Sequence, residues 1–572
     1  MSVAARESGA MMAAANAEAT ALRGVWAGRA ALAGSCVAVL GMTFWAYRHF
    51  IAMHWLPLWD ESWYYMTAVR IWHALHSGNL NAAGRETWNY HLAIGMPFLA
   101  PYFLVLGLMI GGTSLEAARA GSLIAGLLGC GAVAWLAATL AGERKAYAAA
   151  VAAVLWGTSP MFLFYSSRAQ YESFSMLFTV LCLVAAARFA ERGGRLAAAA
   201  TGMCASLVFL TKYNVGVLLM AGLFLGLAWP EIRKRLVADP RGLLEQVTRP
   251  WILLVATAIV PVALWLMAGE VRLFMNFLKG FPYDAMDLGA QFLFFPRSFF
   301  QEYMAVPLLG VLVLAGVAYW SLKGWGEPGI RVALVCGWLN VFGAVLHTTK
   351  DGRYIWGSVA LATALTGAFV AREMPRWPRW QKVPASIAVA LGLVWSVWAA
   401  PAAAQTFFSR NQTAPTAEQQ RALEGALQFI RANTQPGQAI FVTGVADYGI
   451  NLNMIRQFLA NPVTGAEGDI QALPCPVTAP AWGYPTEPSP LYAQLLREQF
   501  VKTPGASLVV LDHEAGSPYR GRLYPWIFSW QENYQQAAGD VAGLQNVAAL
   551  DTHTGLRLTV YRLVQGQKPA LP

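Results

Sequence analysis

The stretch AALAGSCVAVLGMTFWAYRHFIAMHWLPLWDESWYY, residues 30 to 65, joins a long apolar run to two adjacent carboxylates, Asp60 and Glu61. Its apolar part, residues 30–54, is long enough for an α-helix to cross the hydrocarbon core of a bilayer, which takes roughly 20 residues. Tryptophan and tyrosine follow, as is common where a helix leaves the membrane. The stretch therefore predicts a transmembrane helix that delivers two acids to the membrane surface.

The composition of the whole chain predicts many such helices. Of 572 residues, 56% are hydrophobic and only 13% are charged, which is too apolar for an ordinary soluble protein of this length. The net charge of +10 lies in short clusters between apolar runs, a pattern of cytoplasmic loops that argues against nucleic acid as a partner. The six cysteines lack metal-ligand spacing, so neither a zinc site nor a disulfide framework is expected.

Apolar segments and basic clusters together predict the topology. If every basic cluster is cytoplasmic, the chain crosses about eleven times with its N-terminus inside, and the segment 93–111 is an interfacial or re-entrant part of the first external loop. The alternative is that 93–111 crosses and another segment does not. The apolar segments lie at about 30–54, 93–111, 118–141, 146–166, 171–190, 196–211, 214–230, 250–268, 303–321, 331–347, 354–371 and 384–404.

This topology divides the chain into three parts. Residues 1–29 form a cytoplasmic tail, and residues 30–404 form an α-helical polytopic membrane domain whose first external loop covers about 55–117. From residue 405 to 572 the chain is richer in Pro, Gln, Gly and Asp, and helical patterns alternate with short apolar strands. We expect this last part to be a soluble α/β domain on the external face.

The isolated acids have both structural and functional interpretations. Asp60 and Glu61 suit the first turn of an interfacial helix, 62–77, in which Asp60 is the N-cap and Glu61 complements the helix dipole. Glu172 is spaced for an i,i+4 ion pair with Arg168, yet it enters an apolar span, where a carboxylate is costly unless it is paired or faces a polar cavity. All four residues, together with His91, lie on the predicted external face.

Cations recur on the same face, against the usual charge bias of membrane proteins. Lys212 lies in TKYNVG, where a lysine snorkelling at a helix end is the structural alternative. Lys350, Arg353 and Tyr354 lie in HTTKDGRYIWG. External Lys and Arg need negative charge to offset them, and phosphate is a natural ligand for both. Carboxylates beside such cations suit a reaction in which a deprotonated hydroxyl or amine displaces a lipid phosphate from carbon.

The motifs WDESWYY, YHLAIGMPFL, SRAQYES, TKYN and GRYIWGSVAL, in this order, resemble those of the GT-C superfamily of membrane glycosyltransferases. The group that they are most similar to comprises the protein O-mannosyltransferases and the aminoarabinose (lipid A) transferases. The resemblance implies catalytic carboxylates at Asp60, Glu61 and Glu172. It maps the late Arg-Tyr motif of the family onto Arg353 and Tyr354. We expect Arg168, Lys212, Lys350, Arg353 and Tyr354 to bind the donor phosphate, and His91 and Tyr64 to serve the acceptor or the loop.

The predicted function is thus the inverting transfer of a sugar from a polyprenyl-phosphate donor to a lipid, glycan or protein acceptor at the periplasmic face of a bacterial inner membrane. A divalent cation at Asp60 and Glu172 is a further possibility, although two acids alone do not make a site. Two other classes stay open: a transporter or flippase of lipid-linked sugars, and a non-catalytic membrane assembly protein. A flippase would be expected to carry polar groups on both faces.

Overall fold

The computed structural model of the chain describes most of the membrane domain and parts of the C-terminal domain. The described residues are 3–51, 60–94, 99–238, 249–267, 288–346, 352–410, 417–434, 437–443, 455, 459, 471–474, 490–503, 505–513, 534, 536–541, 543–551 and 556–563.

Seventeen helices form the described part of the membrane domain. They are α1 (Val3–Ala46), α2 (Asp60–His76), α3 (Leu80–Ile94), α4 (Leu99–Gly111), α5 (Leu115–Ala141), α6 (Lys145–Gly157), α7 (Pro160–Ser166), α8 (Glu172–Arg192), α9 (Arg195–Thr211), α10 (Tyr213–Leu223), α11 (Trp229–Ala238), α12 (Arg249–Trp265), α13 (Leu288–Ser298), α14 (Pro307–Lys323), α15 (Pro328–Leu346), α16 (Trp356–Arg372) and α17 (Arg379–Arg410). Short π-helical turns extend α1, α10 and α13, and 3₁₀ turns precede and follow α16.

The number of spans differs from the eleven that the sequence predicts. Among the described residues, eight helical segments are long and apolar enough to cross a membrane, or nine if α6 and α7 form one span. The difference lies in α9 and α12, which are apolar but only 17 residues long. At 1.5 Å per residue, each reaches about 25 Å, short of the ~30 Å hydrocarbon core.

The predicted single segment 146–166 is bent in the structure. Its two halves, α6 and α7, meet at an angle of 71°. Ser159 accepts a hydrogen bond from the N–H of Phe162 and so caps α7, while Pro160 occupies the first helical position, where its missing N–H costs nothing. A helix start inside an apolar run thus explains the bend.

The segment predicted to be interfacial contains α4, whose 13 residues reach only about 20 Å. This helix packs tightly on α5 through two glycines. A Cβ on Gly107 would lie 2.7 Å from the carbonyl oxygen of Ala117 and 3.2 Å from the Cα of Gly121. Small residues at such crossings let helices approach closely in a membrane. The pair therefore fixes α4 against the first turns of α5.

The described C-terminal residues form a small mixed sheet with helices, as the sequence predicts. The elements are α18 (Ala417–Ala432), β1 (Ala439–Val442), β2 (Gln471–Pro474), α19 (Pro490–Lys502), β3 (Ser507–His513), β4 (Leu544–Asp551) and β5 (Leu556–Leu563). The strand order is β2-β1-β3-β5-β4; β1 is parallel to β2 and β3, and β5 is antiparallel to β3 and β4. Apolar residues of α18 and α19 belong to two separate clusters packed on this sheet.

Candidate functional site

A fully buried ion pair joins the first loop to the helix bundle. Glu61, in the first turn of α2, has no exposed surface. Arg119, near the start of α5, donates two hydrogen bonds to it, from Nε to Oε1 at 2.8 Å and from Nη2 to Oε2 at 3.0 Å. Parallel hydrogen bonds of this kind are the strongest that a carboxylate and a guanidinium form. They hold the start of α2 against the mouth of the bundle.

The environment of Glu61 keeps it charged. Burial on its own raises the pKa of the carboxyl group, but the charges of Arg119 and Arg168 and the hydrogen bonds from Arg119 and the Ala169 N–H bring the pKa below its ordinary value. The Ala169 N–H donates to Oε1 at 2.8 Å, and Arg168 Nε lies 3.5 Å from Oε2. Both oxygens of Glu61 are therefore occupied by donors from the protein.

Arg168 reaches Glu61 because residues 167–171, between α7 and α8, are not helical. The i,i+4 helical ion pair of Arg168 with Glu172, one of the two interpretations of the sequence, has no continuous helix to form on. The Arg168 guanidinium also lies over the ring of Phe164, 4.9 Å from its centre. Ser122 of α5 donates a hydrogen bond to the carbonyl of Gln170 at 3.2 Å, which fixes the same segment to the bundle.

A second buried carboxylate, Glu172, opens α8 and lies between two cations. Lys212 Nζ is 3.6 Å and Arg353 Nη1 is 3.5 Å from Glu172 Oε1. The Glu172 side chain is only 2% exposed, and neither of its oxygens accepts a hydrogen bond from the described residues. The ion pairs are longer than hydrogen bonds, so this carboxylate retains acceptor capacity that Glu61 lacks.

Aromatic rings surround the cation of Lys212. Its Nζ lies 5.4 Å from the ring centre of Tyr171 and 5.4 Å from that of Tyr354, distances at which a cation and a π-system attract. Tyr64 of α2 packs edge-on against Tyr171 with 4.8 Å between ring centres. The rings connect the Glu61 side of the site with the Glu172 side.

The turn that carries Arg353 is fixed by contacts with residues 298–303. Tyr303 donates a hydrogen bond from its hydroxyl group to the carbonyl of Gly352 at 2.7 Å. A Cβ on Gly352 would lie 2.6 Å from Ser298 Oγ and collide with the Glu302 carboxylate, so these side chains pack closely on the glycine. Ser298 in turn hydrogen-bonds Glu302. These contacts thus fix the turn Gly352–Ile355 and, with it, the backbone of Arg353 and Tyr354.

The structure brings together six of the residues singled out in the sequence: Tyr64, Glu61, Arg168, Glu172, Lys212 and Arg353, with Tyr354 beside them. Asp60 opens α2, but its side chain lies outside the described residues, as does that of His91 in α3; all of Lys350 does too. Helix α2 covers nearly the range predicted for the interfacial helix. Glu61 therefore belongs both to the helix that the sequence predicts and to the buried site.

Arg119 belongs to this site and was not singled out from the sequence. The sequence does contain an indication of it: Arg119 enters an apolar span, where a charged side chain is costly unless it is paired or faces a polar cavity, as for Glu172. With Arg119 included, two described carboxylates meet four cations: Arg119, Arg168, Lys212 and Arg353. The described part of the site therefore has an excess of positive charge, which suits an anionic ligand.

The predicted divalent-cation site pairs Glu172 with Asp60, whose side chain lies outside the described residues. Within them, no three His, Cys, Asp or Glu side chains come together as a ligand set. Glu61 is occupied by Arg119 and the Ala169 N–H, and Glu172 faces two positive charges. A metal needs free oxygen ligands away from competing cations.

Comparison with known families gives one match in the region of the site. The family model described as dolichyl-phosphate-mannose-protein mannosyltransferase matches residues 96–265. This range contains Arg119, Arg168, Glu172 and Lys212, and it is less than half of the chain. A comparison with curated proteins finds no significant match.

Comparison with solved structures identifies the fold. ArnT from Cupriavidus metallidurans matches in its apo state, with a TM-score of 0.54 and 15% identity, and when bound to undecaprenyl phosphate, with 0.54 and 16%. Each match covers 94% of this chain and 99% of the other. The oligosaccharyltransferase from Archaeoglobus fulgidus, in complex with Zn and sulfate, matches with a TM-score of 0.51 and 14% identity over 92% of this chain and 72% of its own. These matches confirm the GT-C fold.

Proposed function

We propose that this chain, a membrane glycosyltransferase of the GT-C fold, moves one sugar from a polyprenyl-phosphate carrier to an acceptor at the membrane face where Glu61 and Glu172 lie. The observation that carries the proposal is that four cations surround these two buried carboxylates. An anionic ligand would share the cost of removing these charges from water. A phosphate at the membrane surface is an anion of the right charge and shape.

The reaction is a single displacement at the anomeric carbon of the sugar. An acceptor hydroxyl or amine gives its proton to a carboxylate, its oxygen or nitrogen forms a bond to the anomeric carbon, and the bond from that carbon to the carrier phosphate oxygen breaks. The phosphate leaves with the bonding electrons, and cations offset the charge that develops on it. One displacement inverts the configuration at the anomeric carbon.

The geometry supports different roles for the acids. Asp60 is the proposed base, because its neighbour Glu61 is fully occupied by Arg119 and the Ala169 N–H. Glu61 therefore acts by holding the first turn of α2 in place. Glu172 keeps acceptor capacity and orients the acceptor, as the sequence resemblance implies. His91 and Tyr64 belong to the acceptor side or to the loop that carries the acids.

The cations form the donor side of the proposed site. Lys212 and Arg353, which share Glu172, bind the carrier phosphate together with Lys350, Arg168 and Tyr354. Binding the phosphate in place of Glu172 would free the carboxylate for the acceptor. Through this exchange, donor binding would allow the Glu172 carboxylate to accept a hydrogen bond from the acceptor.

The orientation of the chain follows from its charges. Arg144 and Lys145 follow the end of α5, whereas Arg119 lies near its start, so basic loops and candidate site are at opposite ends of the bundle. Under the positive-inside rule the site then faces the periplasm of a bacterial inner membrane, with the N-terminus in the cytoplasm and the sheet domain outside.

The test uses purified full-length protein in lipid nanodiscs. The protein is incubated with a panel of undecaprenyl-phosphate sugars and acceptor extracts, and free undecaprenyl phosphate is measured by mass spectrometry. We expect one donor to release carrier phosphate, and Asp60→Asn to abolish the release at unchanged protein yield. Asp540→Asn, at an exposed position of the C-terminal domain, is the matched control. Normal turnover by the Asp60 variant would overturn the assignment of the base, and passage of donor across the bilayer without release would favour a flippase.

A further inference from the structure

A large cavity lies at the end of the bundle away from the candidate site. Its volume is about 1620 Å³, and its walls come from α1, α6, α16, α17 and the turn after α5. Glu143, in that turn, is separated from Arg119 by most of α5, a distance of about 35 Å at 1.5 Å per residue. The cavity is therefore distinct from the site built around Glu61 and Glu172.

The inner walls of this cavity are apolar. They include Ala31 and Ala38 of α1, Val154 of α6, and Val389, Leu393 and Val397 of α17. Helices α1 and α17 also have the smallest buried share of the eight long spans found in the described residues. Both helices therefore lie at the outside of the bundle. Apolar walls of this kind are suited to hydrocarbon chains.

The mouth of the cavity is strongly basic. Arg29, Arg144, Lys145 and Lys382 line it, against a single acid, Glu143. Arg29, Arg144 and Lys145 are exposed and Lys382 is half-buried. None of the four forms an ion pair with a residue in the described part of the chain, in contrast to the cations of the candidate site. Their charge is available to an external anion.

The depth of the cavity matches one leaflet of a bilayer. Along α17 the lining runs from Lys382 to Val397, which is about 22 Å at 1.5 Å per residue. Half of the ~30 Å hydrocarbon core is about 15 Å, and the headgroup layer accounts for the rest. The volume also exceeds the roughly 300–1,000 Å³ of pockets for drug-sized ligands. A ligand that fits this shape has a charged head and long apolar chains.

We infer that this cavity binds an anionic glycerophospholipid of the adjacent leaflet. Its phosphate is held at the mouth by Arg29, Arg144, Lys145 and Lys382, and its acyl chains lie between α1 and α17. Basic pockets between transmembrane helices on the cytoplasmic side are suited to anionic headgroups. A zwitterionic lipid would add its own cation to the four already there, and a free phosphate would leave the apolar walls uncovered.

Native mass spectrometry of the full-length protein tests this inference. The protein, delipidated in detergent, is titrated with phosphatidylglycerol, cardiolipin or phosphatidylcholine, and the fraction with lipid bound is measured. We expect saturable binding of an anionic lipid at least tenfold tighter than that of phosphatidylcholine. The double variant Arg144→Gln/Lys145→Gln should lower the affinity for the anionic lipid at least tenfold. Equal binding of all three lipids by the wild type would overturn the inference.

Two further variants separate a built site from general surface charge. Arg192→Gln/Arg195→Gln removes the same charge at exposed positions of the same end of the bundle, outside the cavity, and should leave binding unchanged. Gly34 lines the cavity, and a Cβ added to it would meet no atom within 4 Å, so Gly34→Leu places a side chain in the apolar part from an uncrowded position. We expect Gly34→Leu to weaken binding at least fivefold although all four cations remain. If the charge control weakens binding as much as the cavity variants do, the inference fails.

Discussion

Arg119 and Glu61, 58 positions apart in the chain, are joined by two hydrogen bonds of 2.8 and 3.0 Å inside a fully buried contact. The pair ties α2 of the first loop to the transmembrane helix α5. Because an ion pair in such a place has lost its water, each partner depends on the other. The contact thus helps to fix the first turn of α2, which begins at Asp60.

Removal of either partner should destabilise the protein strongly. Arg119→Gln leaves Glu61 buried and short of its strongest donor, and we expect a loss of about 3–5 kcal/mol in the free energy of unfolding. Thermal unfolding in detergent measures the change. Arg195→Gln, at an exposed position of α9, should cost less than about 0.5 kcal/mol. The double variant Glu61→Gln/Arg119→Gln should lose less than the sum of the single variants, and strict additivity would refute the coupling.

The contribution of Glu61 should also depend on pH in one direction. Its pKa in the folded protein lies below 4.5, so the stability that its charge confers is fully present above the unfolded value and is lost as the pH falls through the folded value. The difference in stability between wild type and Glu61→Gln should therefore be constant from pH 8 to about pH 6 and shrink only under acid conditions. Unfolding midpoints from pH 8 to pH 3 measure it. A difference that grows toward low pH would contradict the ion pair.

Glu172→Gln should separate catalysis from folding. The substitution keeps the volume of the side chain and removes the charge that faces Lys212 and Arg353. If Glu172 orients or deprotonates the acceptor, kcat should fall by about 10²- to 10⁴-fold. Release of carrier phosphate at saturating donor measures it. Glu191→Gln, an exposed change on the same helix, is the control, and equal turnover of both variants would exclude Glu172 from the chemistry.

Lys212 should act mainly on the donor. Lys212→Met keeps the apolar stem between Tyr171 and Tyr354 but removes the cation. We expect the KM for the polyprenyl-phosphate donor to rise at least tenfold, since a charge-assisted contact to phosphate is lost. Steady-state kinetics over a donor series measures it. Lys323→Met, exposed at the far end of α14, should leave KM unchanged; an unchanged KM in the Lys212 variant would remove this residue from the donor site.

Gly352→Ala tests how Arg353 is held. The new methyl group would meet Ser298 and the Glu302 carboxylate, so either these side chains or the turn that carries Arg353 must shift to relieve the overlap. We expect transfer to fall at least tenfold while the unfolding midpoint changes by only a few degrees. Gly326→Ala, at an exposed glycine with nothing within 4 Å of a Cβ, is the matched control. Wild-type activity in the Gly352 variant would show that the contact has no role in the site.

The sequence was informative about the site wherever a charge interrupts an apolar run. Glu172, Lys212 and Arg353 stood out because such charges need partners or a polar cavity, and the structure makes them partners of one another. Arg119 lies at the edge of the apolar segment 118–141, and the same rule applies to it. Its pairing with Glu61 is a long-range contact that no local pattern encodes.

The span count could not be read from hydropathy alone. Apolarity marks α9 and α12 as clearly as the longer helices, but it does not show where each helix ends. The length of α9, for example, is set by the turns at Gly194 and Lys212. The break between α6 and α7 was readable, because Ser159 followed by Pro160 is a helix-start signal. Its 71° angle was not, since tertiary packing fixes the direction of the second half.

The contacts of residues 167–171 restrict how the sequence of this protein can vary. Surface loops usually accept insertions, because their backbone contacts are replaceable. These five consecutive residues instead supply the Arg168 guanidinium and the Ala169 N–H to Glu61, the Gln170 carbonyl to Ser122 and the Tyr171 ring to Lys212. One residue more or fewer would shift all four contacts at once. Functional sequences of this type are thus expected to keep the length of this segment together with Arg168 and Tyr171.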